Sequence, residues 1–290
     1  MMPDAFVTAD ASAIRAESWL LKLQGLQLVL LVAAACVGAI GLVVEHERLT
    51  GLLIVGCLVA VWLCRLVQRL AAFEHDWYNG RAAAESVKTL VWRYAMKVAP
   101  FHDDRTAPDR LDQRVKEVTA SAGLAAAGPV VTPELEELRR SGLGDRSARY
   151  LSERIDDQCR WYTAKSEGFR HLALLYDCLF FALTLAAIGA ALLVAFGRSD
   201  LAVIGILETV VAAILTWTGV RAYGPTATAY AFTARELQAI RALGDDAAAA
   251  DDTWAEFVGD AEDAISREHT MWRASRTSTT TAPQLTPKGT

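Results

Sequence analysis

The chain has 290 residues, 53% hydrophobic and 22% charged, and its 29 basic against 34 acidic side chains leave a net charge of −5. Four long apolar runs in so short a chain would need a larger polar shell than the other residues supply, which excludes a soluble enzyme built round buried helices. Mild acidity without a basic aromatic platform argues against nucleic acid as a partner, and five cysteines without paired spacing argue against a disulfide framework or a metal centre.

Residues 1–25 read as an N-terminal amphipathic helix starting near Ser12, with Trp19 and Lys22 suited to a membrane interface. A first span follows over 26–44, with Gln27 at its mouth, and a charged bridge, 45–48, leads to a second over 49–67. The second is short for the roughly 20 residues a crossing needs, but Arg65 and Arg69 can snorkel from it. The first run is not read as a signal peptide: it starts late, after an acidic and basic segment, lacks a persuasive cleavage site and turns straight back into another span. The second span reads as continuing without a breaker, bent near Asn79-Gly80 and stopping before Pro100, to complete a first hairpin unit over 26–99. Arg81, Glu85 and Lys88 are spaced for surface ion pairs on this helix.

Residues 100–144 form a helical linker. One helix follows Thr106-Ala107-Pro108. The next takes Thr132 as N-cap and Pro133 as its first residue, ending at Gly142 or Gly144, with the loose segment SAGLAAAGPVV between them. A second unit covers 145–273. A long helix from Asp145 enters a span over 172–196, the bridge 197–200 returns the chain through a span over 201–220, and that span runs on through TARELQAI. Thr253 and Glu256 are spaced as a capping box for a final helix. The Ser/Thr/Pro-rich residues 274–290 read as a disordered tail. The fold class is therefore an all-α membrane protein, two transmembrane hairpins (four spans) with long helices extending into the cytoplasm. Basic residues cluster opposite the bridges, which places both termini and the centre in the cytoplasm of a bacterial inner membrane. AAAES at 82–86 and TAREL at 233–237 occupy corresponding places after the two hairpins.

Two acids fall within the spans. Glu208 lies roughly 10 Å from the non-cytoplasmic end of its helix at 1.5 Å per residue, where a lipid-exposed charge costs several kcal/mol. Pore lining or gating, an interhelical or intersubunit hydrogen bond, and proton or ion coupling all remain open for it. Asp177 is closer to the headgroups, at an interfacial position or the mouth of the same route. Four spans are too few to line a wide channel, so a pore implies a homo-oligomer in membrane lipid. Outside the spans, Trp77, Arg81, Glu85 and Trp92 form one aromatic and charged seam; Arg154, Asp157, Gln158, Trp161, Tyr162 and Lys165 form another. These knit helices together or receive a nucleotide or protein trigger. Scattered histidines, and no phosphate loop, zinc motif or nucleophile elbow, argue against an enzyme; neither cofactor nor metal is expected.

The series Trp77, Arg81, Glu85, Trp92, Tyr94 within WYNGRAAAESVKTLVWRYA, and Tyr150, Arg154, Gln158, Trp161, Tyr162, Lys165 within RYLSERIDDQCRWYTAKSEGF, followed by TARELQAI and AISREHTMW, resemble the SLATT family. These are small prokaryotic two-transmembrane effector domains associated with nucleotide second-messenger conflict systems. Two subtypes resemble the chain in tandem, over roughly 12–125 and 145–275. The resemblance implies a non-enzymatic anti-phage effector that forms or gates an oligomeric pore when a nucleotide second messenger or a separate sensor protein triggers it, ending in depolarisation and growth arrest. With no fused nucleotidyltransferase or Rossmann-like sensor in the sequence, the trigger is expected from another protein or on the helices themselves. The alternative is a non-conducting membrane scaffold that recruits a cytoplasmic partner. The family supplies no catalytic residues to carry over.

Overall fold

The computed structural model describes residues 1–41, 47–125, 128–196 and 201–277. Expectations for Glu45 and His46, for the bridge at 197–200, for the centre of the SAGLAAAGPVV segment and for the tail beyond 277 lie outside the described residues. Regular structure among the described residues is helical: α1 (Asp4–Gly41), α2 (Glu47–Leu70), α3 (Phe73–Ala95), α4 (Ala107–Ser121), α5 (Pro133–Arg140), α6 (Leu143–Tyr150), a π-helical turn (Leu151–Asp156), α7 (Asp157–Ala195), α8 (Leu201–Arg221), α9 (Tyr223–Ala247) and α10 (Asp251–Thr277). Four stretches are long and apolar enough to cross a membrane, within α1, α2, α7 and α8, and they form the two expected hairpins.

One compact unit gathers residues 1–15, 75–159 and 235 onward; the other gathers 16–74 and 160–234. Each draws on both halves of the sequence. The first is polar outside and packed inside, and the second carries the apolar spans.

In the polar unit, the largest fully buried side chains include Trp254, Tyr94, Tyr150, Phe101 and Leu111. Tyr150 is wedged edge-on between Trp92 at 5.5 Å and Trp254 at 5.6 Å, centroid to centroid. Burying rings of this size stabilises by about 2–3 kcal/mol each relative to leaving them in water. The end of α3 is tied down by Arg139 of α5, which donates to the Tyr94 carbonyl, to the Phe101 carbonyl at 2.7 Å and to the Asp104 carboxylate. Thr132 caps α5 as expected, its hydroxyl accepting from Leu135 N–H, with Pro133 following.

Several boundaries differ from expectation for identifiable reasons. α1 starts at Asp4, not near Ser12, because Ala5, Ala9 and Ala13 recur every fourth residue as a fully buried small-residue seam. Ala9 packs with Ala83 and Ala84 of α3. Gly80 belongs to that crossing and not to a bend: a Cβ there would lie 2.7 Å from Ser12 Oγ and 3.0 Å from the Ala9 carbonyl oxygen. The break after the second span is instead at Ala72, at φ 49°. A matching break at Ala222, φ 46°, follows the fourth span and separates α8 from α9, so the helix does not run on unbroken. α5 stops at Arg140, and Gly142 is the N-cap of α6. Thr253 sits inside α10, its hydroxyl donating to the Ala247 and Ala250 carbonyls, so it caps nothing; α10 starts at Asp251 and reaches Thr277.

The spanning unit reverses the usual pattern. Its apolar windows are 0–6% buried, with Leu52, Phe181 and Leu185 about 70% exposed, as lipid-facing helices require. What it does bury includes polar groups: Gln27 of α1 donates to Gln68 of α2 across 3.1 Å, and Arg65 also donates to that Gln68 oxygen. Thr50 approaches Gly41 closely enough that any side chain there would collide with it. Glu17 of α1 pairs with Arg221 of α8 at 3.6 Å, and Trp217 Nε1 donates to the Tyr223 hydroxyl just past the Ala222 break.

Candidate functional site

Within the polar unit, Glu262 of α10 is fully buried and satisfied from three directions. Arg154 donates from Nε to one carboxylate oxygen at 2.8 Å and from Nη2 to the other at 2.7 Å. Tyr150 donates its hydroxyl at 3.0 Å and Thr89 of α3 at 2.8 Å. Such a bidentate, fully desolvated pair is geometrically specific, and it survives burial only because every carboxylate lone pair finds a donor. Burial alone would depress the Arg154 pKa, but Glu262 outweighs it and holds the guanidinium charged. Burial, and then the Glu262 charge, push the Tyr150 hydroxyl well above its ordinary range.

Arg154 also borders a cavity of about 270 Å³, whose walls include Lys88, Trp92, Glu153, Asp157 and Gln158. Met1 and Met2 close another side. The π-helical turn carries Glu153 and Arg154; the extra residue in the turn shifts the register that a regular helix would impose, a distortion that recurs at functional sites. Lys88 is bound by Glu85 at 3.3 Å, and its pKa is lowered, first by burial and then by the neighbouring Arg154 and Arg81 charges working against Glu85.

The two expected seams are only partly joined. Trp92, Arg154, Asp157 and Gln158 meet at this cavity. Arg81 and Glu85 lie alongside on α3, where Glu85 is buried between Arg81 at 3.1 Å and Lys88, making an interior cluster in place of the surface pairs expected. Trp77 packs on Tyr78 and takes no part in the cavity. Trp161, Tyr162 and Lys165 belong to the spanning unit: Trp161 and Tyr162 pack on Tyr230, and the Lys165 ammonium sits 5.7 Å from the exposed Trp161 ring.

Glu208 and Asp177 both lie on the outside of the spanning unit, exposed, and neither has a hydrogen-bond or ion-pair partner among the described residues.

Sequence reasoning missed Glu262, Thr89 and Arg139, and read Lys88 only as part of a surface ion pair. Glu262 carried a usable signal. It follows Trp254 and Val258 at intervals of four and precedes Ile265, so it occupies the apolar face of α10, where an acid requires a buried partner. Thr89 and Arg139 had none, because their importance depends on segments far away in the chain. Among the described residues no group of three His, Cys, Asp or Glu side chains could hold a metal.

Residues 3–147 match the family model of SMODS and SLOG-associating 2TM effector domain 3, and residues 150–272 match that of SMODS and SLOG-associating 2TM effector domain 1. The first match includes α5, which the resemblance had left out as linker, and the junction falls at the end of α6. Thr89 in the first matched region and Tyr150, Arg154 and Glu262 in the second therefore close one network across two domains. No curated protein and no solved structure matches the chain. Both matched descriptions are of effectors; with four spans and two such domains in tandem, the chain is a multi-pass membrane protein and belongs to the SLATT family of two-transmembrane effector domains.

Proposed function

We propose that the chain is an effector of a prokaryotic anti-phage conflict system that oligomerises in the inner membrane, with its termini and polar unit in the cytoplasm. A nucleotide signal or a partner protein acting on the polar unit opens an ion pathway, and the cell depolarises and stops growing. The observation that carries this reading is Glu208: an exposed carboxylate roughly 10 Å into a span, with no partner among the described residues to offset the cost of lipid. A second subunit or a water-filled lumen supplies what the monomer lacks. Asp177, exposed near the other end of the adjacent span, continues the same polar route. α1, α7 and α9 each contribute residues to both units, so a change in the polar unit has a covalent helical path to the spans.

The test is ion flux from vesicles reconstituted with the full chain, alongside membrane potential in cells during toxic expression. Flux and depolarisation, with conductance altered in Glu208→Gln, are expected. Toxicity with an intact potential, together with silent vesicles, would overturn the pore. A recruiting scaffold is the second reading, favoured by the exposed Trp161 ring with Lys165 beside it, a surface suited to a protein partner. That reading expects partner capture lost in Trp161→Ala, with no flux in either protein.

A further inference from the structure

The cavity bordered by Lys88 and Arg154 adjoins a buried donor that the fold itself does not use. Arg154 is 1% exposed, and Glu262 and Thr89 occupy its Nε and Nη2; its Nη1 has no acceptor among the described residues. A buried guanidinium N–H left without an acceptor costs about 1–3 kcal/mol, and somewhat more for a charged donor, so such groups persist where something outside the fold satisfies them. Lys88 stands beside it with its charge opposed by burial and by two neighbouring cations. Gln158 adds an amide that can donate from the same wall. Of the two acids in the lining, Glu153 is drawn away to Arg149 at 2.9 Å, while Asp157 remains at the cavity; Glu85, outside the lining, is shared between Arg81 and Lys88.

We infer that this cavity is a binding site for the phosphate group of a small phosphorylated molecule, held by Arg154 Nη1, Lys88 Nζ and the Gln158 amide. An oxyanion supplies the missing acceptor for Arg154 and the counter-charge that makes a protonated, buried Lys88 favourable. The cavity volume equals roughly nine waters at about 30 Å³ each, several times what inorganic phosphate fills, so the ligand carries a further group beyond the phosphate. Polar residues of both matched domains line the site, Lys88 and Trp92 from the first and Arg154, Asp157 and Gln158 from the second, so an occupant bridges them.

As the receiver of a trigger the cavity rests on the effector reading above; as a phosphate site it does not, and binding is measured without any ion flux. The experiment is thermal unfolding of the full detergent-solubilised chain titrated with inorganic phosphate, adenosine monophosphate, and chloride at matched ionic strength. The expected result is a saturable rise in Tm with phosphate and a tighter one with adenosine monophosphate, none with chloride, and at least a tenfold weaker apparent affinity in Lys88→Met and Gln158→Leu. Each variant is compared with its own unliganded Tm, because Lys88→Met also removes the Glu85 ion pair. No rise with either phosphate compound, or an equal rise in the parent and both variants, overturns the site. A phosphate response in a protein whose vesicles stay silent would leave the site standing and remove the pore.

Discussion

Arg154 and Glu262 are 108 positions apart in the chain, and they meet as a bidentate ion pair in which neither side chain is more than 1% exposed. Because Glu262 also accepts from Thr89 and Tyr150, its loss strands a buried cation and two hydroxyls together. Glu262→Ala should therefore destabilise the polar unit by about 3–5 kcal/mol, read as a large fall in Tm by near-ultraviolet circular dichroism. Arg154→Met combined with Glu262→Leu should recover part of that loss, since no charge is then buried alone, but not all of it, because Tyr150 and Thr89 still lack their acceptor. A double variant as unstable as the single one would mean that shape, not charge, governs the site.

Gly80 tests the packing of α1 on α3. Its missing Cβ lets the α1 backbone approach to a separation that alanine would violate at three atoms, two of them backbone. Backbone cannot rotate away as a side-chain tip can, so Gly80→Ala should cost about 1–3 kcal/mol despite alanine's better helix propensity. Faster limited proteolysis within residues 1–15 is the direct readout. An unchanged digestion pattern would show that α1 is held elsewhere.

These two sites also show where the sequence was legible. Long apolar runs announce spans because lipid imposes length and composition at once, and the hairpins followed from them. Thr132-Pro133 was legible because capping is local chemistry. The alanine seam of α1 was not, since alanine burial leaves little hydrophobic contrast, and Gly80 looked like a breaker when its value lies in what crosses over it. The aromatic seams were recognised as groups of residues but not as partners. Trp92 and Arg154 share a cavity while Trp161, seven residues beyond Arg154, belongs to a different unit, and only long-range packing decides that.

Ala72 and Ala222 hold left-handed backbone at φ 49° and 46°, each just after a returning span and each followed by an aromatic residue. An L residue pays roughly 1–2 kcal/mol there that glycine avoids. Ala222→Gly should raise stability by up to about 1 kcal/mol once the freer unfolded chain is allowed for, whereas Ala222→Val should lower it by more than that. Denaturation of the two variants in the same detergent checks the sign. Destabilisation by glycine would mean that the alanine methyl makes a packing contact worth more than the strain.

Asp104 provides a pH test in the polar unit. Burial works against its charge, but hydrogen bonds and charge from Arg139 and Lys97 prevail and hold its carboxyl below the ordinary carboxylate value. A lowered folded-state pKa means that the unfolded chain binds the proton more readily. The stabilisation is thus complete above the unfolded value of about 4 and is lost as pH falls through the lower folded-state value. Its side chain is 65% exposed, so solvent screening keeps the effect modest and salt-sensitive. Asp104→Asn should melt like the parent once pH is below both values, fall behind it as pH rises through about 4, and narrow the gap in high salt. Parallel curves for the two proteins across that window would show that Arg139 is held by the Tyr94 and Phe101 carbonyls alone.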